Sequence, residues 1–107
     1  MSDSAVITRP ETREETKSRQ IPPYNVVLLN DDHHSMEFVV RVLVKVFGFG
    51  LEKCFQLMLH AHDTGRSIVW TGPKEVAELK VEQISTFHET RGTKDLGALG
   101  CEIEPAP

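Results

Sequence analysis

The first apolar run of the chain, "YNVVLLN" from Tyr24 to Asn30, is short and rich in β-branched and aromatic residues. Such a run favours a β-strand, and the Asn-Asp-Asp cluster at its end is typical of a turn. Two later runs, "RSIVW" and the segment from Leu99 to Glu104, also predict strands. The pattern therefore predicts three strands with long segments between them.

The segment "MEFVVRVLVKVFG" fits two patterns, because its valines alternate as in a strand while other apolar residues keep helical spacing. Ser35 precedes the segment and is a suitable N-cap. Glu37 would lie in the first turn, where the helix dipole favours a carboxylate. The capping signal and the length of the segment predict a helix.

Two further helices are predicted from apolar residues spaced three and four apart. The first ends at Gly65, and the second opens at Pro73 and ends before Gly92. The predicted apolar face of the first comprises Leu51, Cys54, Phe55, Met58 and His62. That of the second comprises Val76, Ala77, Lys80, Val81, Ile84, Phe87 and His88. The order β-α-α-β-α-β predicts a small α+β domain, with a three-stranded antiparallel sheet packed against three helices.

Residues 1–21 contain few large apolar side chains and mix both charge signs. Such a segment cannot bury enough surface to offset the entropy of ordering, which predicts a disordered N-terminal extension. Residues 22–107 then form the folded domain, which is long enough for one modest core.

Composition narrows the function classes. The net charge is −4, so a nucleic-acid-binding surface is not expected. Cys54 and Cys101 lie far apart and form neither a disulfide framework nor a Cys-x-x-Cys site, which fits a reducing compartment. The sequence shows no membrane-spanning run and no signal peptide. We therefore expect an intracellular, cytoplasmic domain that binds neither nucleic acid nor membranes.

The polar cluster "NDDHH" between the first strand and the first helix admits three interpretations. Asp31 to His34 could be metal ligands, but consecutive side chains diverge, whereas transition-metal sites gather ligands from several elements. A catalytic site lacks support, because there is neither a nucleophile motif nor a phosphate-binding glycine loop. The third interpretation is a turn in which Asn30, Asp31 and Asp32 bind backbone N–H groups. The residues alone leave these alternatives open.

Three stretches, "PPYNVVLLNDDHHSMEFVVRVLVKVFG", "LMLHAHDTGRSIVW" and "KEVAELKVEQI", occur here in the order found in the ClpS family. The resemblance covers roughly Pro22 to Glu104. These proteins are adaptors of bacterial and plastid Clp proteases. The resemblance implies a non-catalytic N-end rule adaptor without a cofactor, in a bacterial cytoplasm in preference to a plastid stroma. Such an adaptor binds N-terminal Leu, Phe, Tyr or Trp and delivers the substrate to the N-terminal domain of a ClpA- or ClpC-like AAA+ unfoldase.

The resemblance also implies roles for individual residues. Asn30, Asp31 and His62 match the residues that bind the α-amino group, with Asp32 in a supporting position. The matching hydrophobic pocket comprises Met36, Val39, Met58, Ala61 and Leu99, with His34 at its rim. Glu75 and Lys80 match the residues that dock to the unfoldase, which engages the N-terminal extension during delivery.

Three departures from the family pattern bear on specificity. Ala61 stands where many members have Val, which predicts a roomier pocket that accepts Trp or Tyr more readily. His34 replaces a small hydroxyl residue of some relatives, and the segment "RGTKDLGA" before Leu99 is longer than in some of them. Two other functions stay open, an interaction module of similar fold without an amine pocket and a metal-dependent enzyme at Asp31 to His34.

Overall fold

The computed structural model describes residues 21–107, so residues 1–20 of the predicted extension lie outside the described part of the chain. Its elements are β1 (Tyr24–Leu29), α1 (Met36–Phe47), α2 (Leu51–Thr64), β2 (Arg66–Gly72), α3 (Lys74–Ile84), β3 (Glu89–Arg91), β4 (Lys94–Gly97) and β5 (Cys101–Pro105). Strand β1 lies between β2 and β5 and is antiparallel to both. The predicted α+β fold, with three helices and a three-stranded antiparallel sheet, is confirmed. Within residues 21–107, no helix combines the length and apolarity needed to cross a membrane.

Strand β1 is the middle strand of the sheet and its four central residues are buried. Val26 and Leu28 point into the main core, while Asn25 points to the opposite face, as the alternation of a strand requires. The Asn25 amide donates to Glu104 (3.2 Å), and its oxygen accepts from the Thr71 hydroxyl (2.6 Å). This buried polar side chain therefore joins all three strands without leaving its own groups unpaired.

Helix α1 settles the ambiguity of the valine-rich segment. The Ser35 hydroxyl accepts a hydrogen bond from the Phe38 amide at 3.1 Å, as an N-cap does. Gly48 ends the helix at φ 75°, a conformation that favours glycine. A strand would place Val40, Val42, Val44 and Val46 on one face. Val42 and Val46 are instead buried in the core, whereas Val40 and Val44 are half-buried and line an open groove. The helical spacing therefore prevails over the β-branched content.

The predicted apolar face of α2 is wrong in part. Its buried residues are Cys54, Met58 and Ala61, whereas Leu51 and Phe55 are 70% and 43% exposed and His62 is exposed. Leu51 and Phe55 line an open groove beside α1 instead. The buried face of α2 therefore runs through Cys54, Met58 and Ala61, which are four and three residues apart, and leaves the larger side chains of Leu51 and Phe55 outside the core.

The predicted extent of α3 is also wrong. The helix ends at Ile84, and the hydroxyls of Ser85 and Thr86 donate to the carbonyls of Glu82 and Gln83, which are needed to continue the backbone ladder. Such side-chain bonds compete with helical hydrogen bonding. Val76 is exposed, and Ala77 and Ile84 are the buried residues of α3. Phe87 and His88 therefore follow the helix instead of extending its apolar face.

A hairpin of β3 and β4 occupies the segment that was expected to be helix end and loop. Gly92 lies in its turn at φ 64°, a conformation open to glycine at little cost. The final strand, β5, begins at Cys101 and not at Leu99. The hairpin is the main feature of the fold that was not predicted from the sequence.

Replacing Ser35 with Ala tests the capping of α1. Loss of the bond to the Phe38 amide should lower the free energy of unfolding by about 1 kcal/mol, measured by urea denaturation. Ser85→Ala is the matched control, because Ser85 is an exposed serine at the carboxyl end of α3. It should change the free energy of unfolding by less than about 0.5 kcal/mol. Equal stability of the Ser35→Ala variant and the wild type would contradict the assigned cap.

Candidate functional site

The residues matched to the family's binding site surround one small pocket. It encloses about 370 Å³, including its open mouth. The lining residues are Leu28, Leu29, Asn30, Asp31, His34, Met36, Val39, Met58, Ala61, His62 and Leu99. They come from the end of β1, the turn after it, the start of α1, the second half of α2 and the segment before β5. Of the residues assigned to amine binding and to the hydrophobic pocket, only Asp32 is absent from this lining; it is exposed in the turn.

The base of the pocket is apolar. Met58, Ala61 and Leu99 are buried, and Val39 is half-buried. Met36, at the first turn of α1, is 49% exposed and forms part of the mouth. Met58 and Ala61 are three residues apart on α2 and therefore lie on one side of that helix. The pocket thus offers a buried apolar surface to a side chain that enters from solvent.

The polar mouth is positioned by backbone hydrogen bonds at the end of β1. The Leu29 amide donates to the Gly100 carbonyl at 2.9 Å, and the Asn30 amide donates to the Gly65 carbonyl at 3.0 Å. Gly65 follows α2 at φ 98°, so the end of α2 is joined directly to the start of the polar turn. This contact brings the exposed side chains of Asn30 and His62 to the same pocket.

The Asp31 carboxylate organises the turn between β1 and α1. One oxygen accepts from the backbone amides of His33 (3.1 Å) and His34 (2.9 Å), and the other lies 2.8 Å from Nδ1 of His34. Partial burial acts to raise the pKa of Asp31, but the amide of His34, its ring and the amide of His33 lower it overall. Asp31 is therefore a carboxylate at neutral pH, with part of its accepting capacity already used.

His34, which was expected at the rim of the pocket, lines the pocket with a side chain that is shielded from solvent. Its side chain is 1% exposed and stacks on Phe38, with ring centroids 5.4 Å apart. The ring joins two segments, because Nδ1 faces Asp31 and Nε2 lies 2.9 Å from the carbonyl oxygen of Gly97. His34 therefore contributes to the pocket from within the structure.

Two more contacts attach the β3–β4 hairpin to the polar turn. Glu89 accepts from the Ser35 amide at 2.9 Å, and the Arg91 guanidinium donates to the His33 carbonyl at 3.3 Å. Sequence spacing could not identify Glu89, Arg91 or Gly97 as partners of this turn, since they lie more than fifty positions along the chain. The long segment "RGTKDLGA" forms much of the hairpin, and Leu99, which follows it, does line the pocket.

A metal site at the turn is not favoured by this geometry. The potential ligand atoms of Asp31, His33 and His34 lie within 4.8 Å of one another. However, both ring nitrogens of His34 and both oxygens of Asp31 already have hydrogen-bond partners within the protein. A metal ion would have to break those bonds, and all three ligands would come from one short turn. The cluster is better described as a hydrogen-bonded turn, which was one of the open alternatives.

The residues matched to unfoldase docking lie apart from the pocket lining, on α3. Glu75 is exposed, as are its apolar neighbours Val76 and Leu79. Lys80 is half-buried, and its ammonium donates to the Val46 carbonyl at 3.0 Å. A cation is favourable at the carboxyl end of a helix, so Lys80 also stabilises the end of α1.

Comparison with known proteins shows the family of this chain. Residues 19–99 match the family model described as ATP-dependent Clp protease adaptor protein ClpS. The chain is 38% identical over 92 residues to the ClpS adapter protein of Desulforapulum autotrophicum, covering 86% of this chain and 88% of that protein. It is 46% identical over 76 residues to the ClpS adapter protein of Xanthomonas oryzae pv. oryzae, covering 69% and 72% of the two chains.

A solved structure has the same fold. Agrobacterium tumefaciens ClpS2 bound to L-phenylalaninamide matches with a TM-score of 0.68 at 31% identity, over 79% of this chain and 98% of that one. The family model, the full-length relatives and the fold agree with one another. The chain therefore belongs to the ClpS family of ATP-dependent Clp protease adaptor proteins.

Proposed function

We propose that this chain is a non-catalytic adaptor that binds N-terminal Leu, Phe, Tyr or Trp and delivers the substrate to a ClpA- or ClpC-like unfoldase. The observation that carries the proposal is one pocket with an apolar base and a mouth of hydrogen-bond acceptors. L-phenylalaninamide, the ligand of the related ClpS2, has a free amine, an aromatic side chain and an amide in place of the next peptide bond. It is chemically the smallest mimic of an N-terminal Phe.

The mouth of the pocket suits an α-ammonium group. An ammonium has three N–H donors and needs three acceptors when it leaves water. The Asn30 amide oxygen, the Asp31 carboxylate and a ring nitrogen of His62 provide such a set around one pocket. The bond to the Asp31 carboxylate joins two charged groups and should be the strongest of the three. Acetylation of the amine removes the charge and two donors, so it should abolish this part of the binding.

Neither half of the pocket is sufficient alone. Burial of a Leu- or Phe-sized side chain contributes about 1.5 to 3 kcal/mol. A desolvated hydrogen bond to a charged group contributes about 1.5 to 3 kcal/mol. Micromolar binding requires about 8 kcal/mol after the loss of translational and rotational freedom. Binding therefore needs the free amine and the bulky side chain together, which explains selection of N-terminal residues over internal ones.

The shape of the pocket supports the expected selectivity. The flexible thioethers of Met36 and Met58 can adapt to Leu and to flat aromatic rings alike. A β-branched side chain places a second carbon close to the mouth, where Met36 lies. We therefore expect Ile and Val to bind less well than Leu and Phe.

Delivery requires a second surface, and α3 supplies a suitable one. Glu75 lies beside the exposed apolar side chains of Val76 and Leu79, and neighbouring exposed apolar residues are a feature of interaction sites. Lys80 lies at the edge of this surface with its ammonium bonded to α1. We propose that Glu75 and Lys80 contact the N-terminal domain of the unfoldase, and that the extension of residues 1–21 is engaged during transfer.

Peptides that differ only at their first residue test the proposed binding. By fluorescence anisotropy, Leu and Phe starts should bind, Ile and Gly starts should bind at least about tenfold more weakly, and N-acetyl-Leu should not bind. His62→Ala should weaken Leu binding about tenfold, the loss of one hydrogen bond to a charged group. His60→Ala is the matched control, because residues two apart face different ways on a helix and His60 does not line the pocket. Equal binding of free and acetylated peptides would contradict an amine site.

The substitution Ala61→Val tests the space at the base of the pocket. Two added methyl groups at a buried position should reduce Trp and Tyr binding about tenfold more than Leu binding, since overfilling a packed space is unfavourable. The measurement is the ratio of the dissociation constants for Trp- and Leu-start peptides in the wild type and in the variant. An unchanged ratio, in a variant that keeps the wild-type melting temperature, would show that Ala61 does not limit the pocket.

Removal of residues 1–20 separates binding from delivery. The truncated chain should bind a Leu-start peptide as the full chain does, because it keeps every pocket residue of the described part of the chain, from Leu28 to Leu99. Degradation of a Leu-start reporter by the unfoldase and its protease should be lost. A Glu75→Ala variant of the full chain keeps the extension and therefore measures the effect of lost docking alone. Normal degradation with the truncated adaptor would exclude the proposed role of the extension.

A further inference from the structure

The hydrogen bonds of His34 define its protonation state. Nδ1 lies 2.8 Å from a carboxylate oxygen of Asp31, and Nε2 lies 2.9 Å from the carbonyl oxygen of Gly97. Both of these partners can only accept hydrogen bonds at neutral pH. A neutral imidazole has one N–H, so one ring nitrogen would direct its lone pair at an oxygen. The imidazolium donates to both partners and fits the observed distances.

The bond to Gly97 connects the two halves of the pocket. Asp31 belongs to the polar mouth, whereas Gly97 ends β4, two residues before Leu99 in the apolar base. The side chain of His34 is shielded from solvent, so water cannot readily replace either partner. Leu99 thus lies between two attachments to the first strand and its turn, the His34 bond to Gly97 and the bond from the Leu29 amide to the Gly100 carbonyl.

We propose that His34 is an imidazolium in this chain and acts as a positioning residue for selectivity, holding the Leu99 segment against the first side chain of the substrate. The inference rests on the proposed function and extends it to a pH-dependent preference for bulky N-terminal residues. His34 itself need not touch the substrate, because it acts through the position of Leu99.

The charged groups around His34 favour the imidazolium. Its own turn contributes Asp31 and the exposed ring of His33, whose centroid lies 4.6 Å away. Strand β3 contributes Glu89, which also binds the Ser35 amide and the Arg91 guanidinium. Helix α1 contributes the uncharged ring of Phe38. Burial acts to lower the pKa of His34, but the bonds to Gly97 and Asp31 and the charges of Asp31 and Glu89 raise it overall.

The direction of the pH dependence follows from that shift. Because the folded-state pKa of His34 is raised, its contribution is fully present below about pH 6.5, the unfolded value, and is lost as the pH rises through the folded pKa. The pKa of Asp31 is lowered, so its own contribution is lost only in acid, as the pH falls through the folded value. Between the folded-state pKa of Asp31 and that of His34, all of these hydrogen bonds are present. Above the folded-state pKa of His34 the ring loses one proton and with it the hydrogen bond to one partner, so the attachment of the Leu99 segment weakens.

A ratio of two affinities isolates this effect from the titration of the peptide amine. Peptides that start with Phe and with Ala present the same amine to the same acceptors, and they differ in how much they contact the apolar base. Their ratio should fall about threefold to tenfold between about pH 6 and about pH 9 in the wild type. In His34→Gln the ratio should be low and independent of pH. His33→Gln is the matched control: its exposed ring also lies near Asp31, with Nδ1 3.7 Å from a carboxylate oxygen, but no bond of its side chain to Gly97 is present, so it should keep the pH dependence of the wild type.

Nuclear magnetic resonance provides a second measurement that needs neither a variant nor a peptide. Imidazole nitrogen spectra should show both nitrogens of His34 protonated near pH 6, and the Leu99 methyl signals should shift with the same midpoint. A neutral His34 ring near pH 6, or a pH-independent affinity ratio in the wild type, would overturn the proposal while peptide binding persists. Failure of the wild type to bind either peptide would instead overturn the proposed function, and with it the selectivity role.

Discussion

The Asp31 carboxylate is the group on which the geometry of the site depends. Its two oxygens accept hydrogen bonds from the His33 and His34 amides and face the His34 ring. These bonds fold the chain between β1 and α1 into a turn that leaves Asn30 at the mouth of the pocket and places Ser35 at the start of α1. One carboxylate therefore sets both the polar acceptors and the helix that carries Met36. A neutral residue of the same shape would bind the two amides less strongly and would leave the His34 ring without its charged partner.

The rest of the fold brings an apolar surface to this turn. The contact between the Asn30 amide and the Gly65 carbonyl places the last turns of α2, with Met58 and Ala61, below the mouth. The hairpin supplies the remaining side through His34 and Gly97. The polar acceptors and the apolar surface thus belong to different elements of the fold and meet in one pocket. This arrangement suits the proposed ligand, because an N-terminal residue is the place in a substrate where an ammonium and a side chain share one carbon atom.

Local sequence patterns were sufficient for the parts of the fold that depend on local interactions. The Ser35 cap and the antiparallel three-stranded sheet were predicted correctly. The pocket residues were assigned from the family resemblance instead; those assigned to the hydrophobic pocket line one cavity, and their binding roles stay predictions. The hairpin was not predicted, because its strands are short and polar and it is attached to the turn through partners 54 to 63 positions away. The buried face of α2 was misplaced for a related reason. The small residue Ala61 is buried while the larger Leu51 and Phe55 are exposed, and apolar spacing alone does not reveal this choice of face.

The central claim is that one pocket binds both parts of an N-terminal residue, the amine at its polar mouth and the side chain in its apolar base. A crystal structure of this chain with L-phenylalaninamide would test it most directly. The account predicts the ligand nitrogen within about 3 Å of the oxygens of Asn30 and Asp31 and of a ring nitrogen of His62. It also predicts the aromatic ring between Met58, Ala61 and Leu99. A ligand whose amine faces solvent, or whose ring lies in the open groove beside Leu51 and Phe55, would contradict the account.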